Sequence, residues 1–507
     1  MSVALFFAAS LLSFLLGYLR YTYNYWTMLG VRQRRTHFLY GNVFKLKSLH
    51  LSELLQETYD AFKGKVGVAG SYVYTRPIAV VTDLELAKHI LIKDFNKFVD
   101  RRAYNNHKED PLSAHLFNLQ GEQWRQLRMK LTPAFSSGKL KHMFGSVVDV
   151  AKQLELTLQK QLDKEGAVLE LHDLLGRYTT DVIGKCAFGL DCHSLQNPRA
   201  EFRVVGRQLF QADRHASVRW QLFKLTYGEF FKRLGLRLIP KSHTDFIMRV
   251  VRETVASRES RAGQDGRRND FIDLLLDLKN PQEGGKGLSV EQLAAQVFVF
   301  FVAGFETSSS NMSFALYELA KQPRVQQKLR SEILRVLSKH EALTYEAMLD
   351  MTYLDQVVYE TLRKYPALAS LTRIATEEYT LPGGDSHITL DRGTVVHIPV
   401  RAIHYDPEIY AEPQEFRPER FEAQAWQQRH PLAFLGFGVG PRNCIGSRFG
   451  LMQVKLGLIG LLRQFQFRLP GSGERPAELA IAKTEIILMP IDGVWLRVER
   501  LERLPGV

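Results

Sequence analysis

The segment Phe437–Gly446, FGVGPRNCIG, brings together a thiol at Cys444, a fixed cation at Arg442, and glycines at 438, 440 and 446 behind Gly436. Cys444 stands directly before a helix-like run, and a helix N-terminus favours an anion, hence thiolate over thiol. Arg442 suits a carboxylate or phosphate. The glycines permit tight bends and close backbone approach, so a flat ligand could lie against the loop. A buried cysteine in a glycine turn and a cysteine nucleophile with a distant histidine both remain open on this stretch alone. A phosphate-binding P-loop is excluded by the missing Gly-Lys-Ser/Thr. No CxxC or Cys/His cluster surrounds Cys444, which argues against zinc. A second candidate is Glu306, followed by Thr307 and Ser308–Ser310 inside the apolar run VFVFFVAGFETSSS. A carboxylate in such surroundings needs partners or a task, and a satisfied polar kink fits as well as a proton-handling site.

The elements that must position these residues can be read from the pattern. SVEQ at Ser289–Gln292 is a capping box. The helix it starts runs to about Lys321, where Pro323 stops it, a length of roughly 45–50 Å. The helix is apolar almost all round and is expected to be buried. Gly304 and the neighbouring hydroxyls are expected to distort it. A further helix follows Cys444 over Arg448–Leu462, and helical spacing dominates from about 115 to 365. Residues 66–81 read as short strands interrupted by Pro77, and GDSHITLDRGTVVHIPV reads as a hairpin. The fold class is mainly α with a smaller β part, in one catalytic unit without a second domain.

Lys+Arg 67 against Asp+Glu 54 leaves a net charge of +13. No run of five like charges occurs, so nucleic acid is not an expected partner. Three cysteines (186, 192 and 444) make no disulfide framework, and Cys186 and Cys192 read as structural. Val3–Tyr18 is uncharged and mostly apolar, with Arg20, Arg32, Arg34 and Arg35 after it and no basic residue before it. This reads as a retained membrane anchor with the body on the cytosolic side. Tyr21, Tyr23, Tyr25 and Trp26 are expected at the headgroup level. The division is an anchor over 1–26, a linker over 27–42 and a body over 43–507.

FGVGPRNCIG matches the haem-binding signature Phe-x-x-Gly-x-Arg-x-Cys-x-Gly, and the chain resembles the cytochromes P450. The match continues in order. AGFET (Ala303–Thr307) resembles the oxygen-activating motif. ETLR resembles the Glu-x-x-Arg pair at Glu360 and Arg363, although Glu122/Arg125 and Glu332/Arg335 share that spacing. RPERF supplies Arg420, WRQLR supplies Trp124 and Arg128, and SLTRIA supplies Arg373. The resemblance implies Cys444 as axial thiolate of haem b (iron protoporphyrin IX), with Phe437 beside it. It implies Arg442, Trp124, Arg128 and Arg373 as haem-binding residues. Thr307 and Glu306 would be the catalytic pair that handles dioxygen and its protons. Glu360, Arg363 and Arg420 would form a buried charge network under the loop. TTDVIGKCAFGLDCHSL and LTPAFSSGKLKHMF are similar to the insect family-six branch.

The implied function is a haem-thiolate monooxygenase inserting one atom of O2 into lipophilic substrates: xenobiotics and insecticides, or insect hormones. Electrons would come from NADPH through NADPH–cytochrome P450 reductase, with cytochrome b5 as a further partner. The implied site is the endoplasmic reticulum membrane, with the catalytic domain on its cytosolic face. Alternatives are a haem-thiolate enzyme that rearranges peroxides, which Glu306/Thr307 argue against, and a non-catalytic haem-binding protein. The chain departs from the family in having no proline between 27 and 42, and in placing Ala367 and Ala369 after Pro366 where further prolines are common.

Overall fold

The computed structural model describes residues 2–501 except 102, 212–221, 224–225, 261–269, 280–286, 386, 475–477 and 484–486. From its sequence, the aromatic, apolar and basic stretch 220–240 (WQLFKLTYGEFFKRLGLRLIP) could dip into the membrane or form an ordinary helix pair; part of it lies outside the described residues. The first helix, α1 (Ser2–Tyr23), exposes most of its apolar side chains, while its last turns touch the body through the buried Leu19 and through Tyr23, whose hydroxyl donates to Phe38 O and Tyr74 O. It is long and apolar enough to cross a membrane and fits an anchor.

Of the aromatic residues expected at the headgroup level, Tyr21 stays exposed, whereas Trp26 and Tyr25 are drawn onto the body. Trp26 is fully buried, and its indole N–H donates to the Ser71 carbonyl at 3.1 Å. A Cβ at Gly70 would lie 2.3 Å from the Trp26 ring, so only glycine leaves it room. The Tyr25 hydroxyl donates to Asp391 at 2.7 Å. Residues 27–42 lie against the same sheet, through bridges from Gln33 to Gly70 and from Gly41 to Val73. The chain therefore leaves α1 by docking onto the body, which supplies the stiffness that prolines provide elsewhere.

That sheet has the order β1 (Val68–Val73), β2 (Arg76–Val81), β7 (Val395–Ile398), β4 (Leu371–Ile374). β1 and β2 form an antiparallel hairpin, β2 runs parallel to β7, and β4 is antiparallel to β7. Pro77 does not interrupt β2 as expected. Its partner Tyr72 spends both backbone groups on Asn42, and the ladder to β7 begins only at Ile78, so no bond is lost at the proline. The hairpin expected over GDSHITLDRGTVVHIPV does not form. β6 (Thr389–Leu390) pairs with β5 (Tyr379–Thr380), whereas β7 enters the large sheet. A separate sheet joins β3 (Val168–Glu170), β9 (Trp495–Arg500) and β8 (Phe465–Arg468).

The helices carry the main core. They include α2 (Gly121–Leu131), α3 (Ser137–Glu165), α4 (Leu171–Ile183), α5 (Val290–Lys321), α6 (Thr352–Lys364) and α7 (Ser447–Gln464). The expected capping box starts α5: Ser289 Oγ accepts from the Gln292 N–H, and Gln292 returns the bond. Although α5 passes the length test for a membrane span, two thirds of that stretch is buried in the protein, as befits a core helix. The helical hydrogen bonding of α5 runs unbroken through this stretch, and the hydroxyls bond back onto their own helix. Thr307 donates to Ala303 O at 2.7 Å, and Ser309 to Glu306 O at 3.1 Å. Gly304 is there for packing. A Cβ would meet Ile183 of α4 at 2.4 Å.

Candidate haem-thiolate site

The Cys444 loop is fixed by its own backbone. The Gly438 N–H donates to Leu435 O, Asn443 N–H to Gly440 O at 3.0 Å, and Cys444 N–H to Phe437 O at 2.9 Å. Gly438 and Gly440 adopt φ of 67° and 72°, which L side chains rarely tolerate. A Cβ at Gly440 would lie 2.0 Å from the Leu91 carbonyl oxygen. The turn delivers Cys444 to the floor of a cavity of about 660 Å³, with α7 beginning at Ser447. Desolvation pushes the Cys444 thiol up; the Gly446 N–H, Arg128 and Arg101 pull the other way. The protein packed around Cys444 thus outweighs the helix N-terminus from which a thiolate is expected, although the side chain itself stays exposed on the cavity floor. A bound metal ion reverses that balance, since a coordinating thiol is deprotonated outright.

Beside the sulfur is a concentration of cations. Arg442 is buried, stacks over Trp124 with its guanidinium 4.1 Å from the ring, and donates to Val99 O and Leu119 O. Arg128 is spent on the loop itself, donating to both Asn443 O and Asn443 Oδ1. Arg373 is buried on β4 with its Nε unpartnered; it lines an adjoining cavity that Arg101 also borders, not the Cys444 cavity itself. Arg101, which the sequence reading missed, donates to the Arg442 carbonyl at 2.8 Å. Burial, then Arg373, pushes Arg442 down to about 9; burial pushes Arg373 to about 10; burial followed by Arg373 and Arg442 pulls Arg101 down as well. The nearest carboxylate to Arg442, Asp100, stands off at 3.8 Å. Guanidiniums held together under this penalty call for an anionic ligand. A thiol on the floor of an apolar cavity, bordered by unneutralised arginines, fits a haem with two propionates. Nothing in the sequence spacing singled out Arg101; only the fold brings it to Arg442.

Below the loop, Glu360 and Arg363 on α6 are wholly enclosed and bond twice, at 2.7 and 2.9 Å. Arg420 approaches Glu360 at 3.4 Å, and the Arg417 N–H donates to the same oxygen at 2.8 Å. The network extends through a residue the sequence reading did not name. His404 Nδ1 bonds to Arg363 O at 3.0 Å, and its Nε2 accepts from the Leu435 N–H at 2.8 Å. Burial, then Arg363, pushes His404 down to about 3, so it stays neutral with one donor and one acceptor. The charge cluster thereby reaches Leu435, whose carbonyl accepts from the Gly438 N–H of the haem loop.

On the opposite side of the cavity, α5 presents Ala303, Gly304 and Thr307. Phe437 lines the loop side and Trp124 the α2 side. Glu306 does not line the cavity. It turns toward α4, where Oε1 lies 3.1 Å from His172 Nε2 and accepts from Ser310 Oγ at 3.2 Å. His172 holds Glu306 below the usual carboxylate range despite burial, and Glu306 raises His172 in return. Gln453 on α7 donates to Gly304 O at 2.8 Å and so ties the two sides of the cavity together. Cys186 and Cys192 are buried free thiols, and burial pushes Cys186 up to about 12, in keeping with inert packing.

Comparison with known proteins agrees with this geometry. The family model for cytochrome P450 matches residues 32–493. A probable cytochrome P450 6a14 of Drosophila melanogaster is 45% identical over 94% of this chain and 96% of its own length. Cytochrome P450 6A1 of Musca domestica is 42% identical over 99% of both chains. The mostly helical fold with a small sheet, the signature loop with its cysteine, and these full-length likenesses lead to one conclusion: the chain belongs to the cytochrome P450 family, in its insect family-six branch.

Proposed function

We propose that this P450 monooxygenase oxidises lipophilic foreign compounds or hormone-like lipids, with electrons delivered by NADPH–cytochrome P450 reductase and cytochrome b5 as an accessory donor. The observation that carries the reading is the cavity itself. It is walled mainly by apolar side chains, with Cys444 on its floor and Thr307 on its wall. We assign the haem to Cys444 as thiolate ligand, with Arg442, Arg128, Arg373, Arg101 and Trp124 about its propionates and Phe437 beside the sulfur. When bound, haem supplies the activation of O2 and its insertion into a C–H bond.

The remaining work falls to this chain's own side chains. The apolar walls exclude bulk water and bind substrate by burial. Thr307 holds a proton at Oγ1, with Ala303 O fixing the hydroxyl's orientation. Glu306 reaches the cavity only by leaving His172, so its part is to resupply protons from the α4 side rather than to touch the reacting atoms. α1 would anchor the enzyme in the endoplasmic reticulum membrane, with the body in the cytosol. The +13 charge suits an acidic electron donor.

The test is turnover of a lipophilic panel by purified holoprotein with reductase and NADPH, alongside the optical spectrum of the reduced, carbon-monoxide-bound form. Product that requires NADPH and reductase supports the reading. Conversion of peroxides without reductase would replace it with the rearranging enzyme.

A further inference from the structure

We propose that the narrow hairpin from His37 to Gly41 is a second foot of this chain on the membrane. Its tip residues Phe38 and Leu39 enter the headgroup region of the bilayer that α1 spans, and Arg32 and Arg35 face the anionic lipids there. The proposal rests on the reading of α1 as a membrane anchor.

His37 and Gly41 exchange both backbone N–H···O bonds at 2.9 Å, which closes the hairpin and leaves Phe38 and Leu39 at its tip. Turn tips in water ordinarily carry glycine, asparagine, aspartate, serine or proline. Here two large apolar residues stand side by side, 60% and 49% exposed. The His37 ring stacks on both Phe38 and Phe44, with centroids 4.9 and 5.6 Å away, so the apolar surface continues onto Phe44. A contiguous exposed patch of this kind marks an interaction surface.

What covers the patch follows from where it stands. The 22 residues of α1 span about 33 Å, close to the thickness of a hydrocarbon core, so the last turn of α1 lies at the headgroup level. In that turn the Tyr23 hydroxyl donates to Phe38 O at 3.1 Å, and Gln33 Nε2 donates to Tyr23 O at 3.0 Å. The tip is thus tied to the point where the anchor leaves the bilayer. With Trp26 and Tyr25 drawn onto the body, Phe38 and Leu39 take their place at the interface. The charges agree. Arg34 and Lys45 are both spent on Glu57, whereas Arg32 and Arg35 are exposed and form no ion pair among the described residues. Basic side chains beside an inserted apolar tip attract anionic headgroups.

The mount is stiff. Trp26 fills the space over Gly70, and bridges from Gln33 to Gly70 and from Gly41 to Val73 hold the base of the hairpin on the sheet. A Cβ at Gly41 would lie 2.5 Å from Tyr74 O, so the hairpin cannot shift without a clash. Anchor and tip are two fixed points, and a body held at two points keeps one tilt on the membrane.

The test uses full-length holoprotein in vesicles of phosphatidylcholine and phosphatidylserine, with bimane on one introduced cysteine and a lipid nitroxide as shallow quencher. Cys186 and Cys192 are buried and Cys444 is assigned to the haem, so the label goes to the new site. Leu39→Cys should lose as much emission as Tyr21→Cys, which reports the end of α1. Leu349→Cys, exposed on the body, should lose none. Should Leu39→Cys fail to load haem, Phe38→Cys repeats the measurement. The loss at Leu39 should shrink when phosphatidylserine is omitted; a loss indifferent to it overturns the part given to Arg32 and Arg35. Phe38→Ser combined with Leu39→Ser should stay on the vesicles through α1 but spread the tilt of the haem plane, read by polarised absorption in oriented bilayers. An unquenched Leu39 label on vesicle-bound protein, or an unchanged spread of tilt in the double variant, overturns the proposal. Protection of the label only when protein is crowded on the vesicle also overturns it, and assigns the tip to a second copy of this chain. Protein that does not float with the vesicles at all sinks the anchor reading instead, so the two failures are distinguishable.

Discussion

The two sides of the cavity are built from different materials. The cysteine side is a loop whose shape is dictated by backbone: left-handed glycines, short turns, and carbonyls that accept from arginines. The helix side is a continuous α5 whose functional groups are single side chains able to choose partners, as Glu306 chooses His172 over the cavity. Backbone geometry admits few alternatives to the chosen residues. A side chain on a helix has several rotamers, and its neighbours decide among them. Substitutions on the cysteine side should therefore cost structure, and those on the helix side should mainly cost chemistry.

The largest expected effect is beneath the loop. Glu360→Gln leaves Arg363 enclosed without its countercharge, and breaking such a pair costs about 3–5 kcal/mol. Haem content and the denaturation midpoint should both fall sharply; normal haem loading would refute the network's role. Gly440→Ala comes next, combining a left-handed φ with a contact to Leu91 O that cannot relax, and should cost at least about 1–3 kcal/mol. Gly446→Ala is its control. No positive φ is required there and the nearest atom to a Cβ is 3.7 Å away, so protein stability should change by under about 0.5 kcal/mol.

On the helix side, His172→Gln should cost about 1–3 kcal/mol, with a characteristic pH dependence. The raised His172 stabilises fully below its ordinary 6.5 and loses that contribution as pH rises through its folded value. The lowered Glu306 stabilises above its ordinary 4.5 and loses that contribution as pH falls through its folded value. The unaltered protein's advantage should be greatest between those two ordinary values and should narrow in alkali. An advantage that is flat with pH would remove the ion pair from the account. Thr307→Ala should have the least effect on stability and haem content, yet divert NADPH electrons to peroxide. Unchanged product per NADPH would deny Thr307 its role.

Legibility follows the same division. FGVGPRNCIG carried the family resemblance because the loop needs those residue types at those positions, although the stretch alone left other cysteine roles open. The α5 start, its end, and the α7 run were legible from capping and periodicity. Glu-x-x-Arg spacing was not self-explanatory. Glu122–Arg125 is an exposed contact at 3.8 Å, and Glu332 instead accepts the N–H groups of Tyr353 and Leu354, while only Glu360–Arg363 is sealed from water. Trp26, Arg101, His172 and His404 act through partners tens to hundreds of residues away, and no local pattern announces them. The missed hairpin has the same origin. The alternation around β7 was read correctly as strand, but its partners β2 and β4 were settled by the tertiary fold.

The most direct test is the optical spectrum of the reduced, carbon-monoxide-bound protein, compared between the unaltered chain and Cys444→Ser. The unaltered protein should show the thiolate-ligated signature, and the serine variant should lose it together with monooxygenase turnover. A serine variant that kept both, or a folded, haem-loaded unaltered chain without the signature, would contradict the assignment of Cys444.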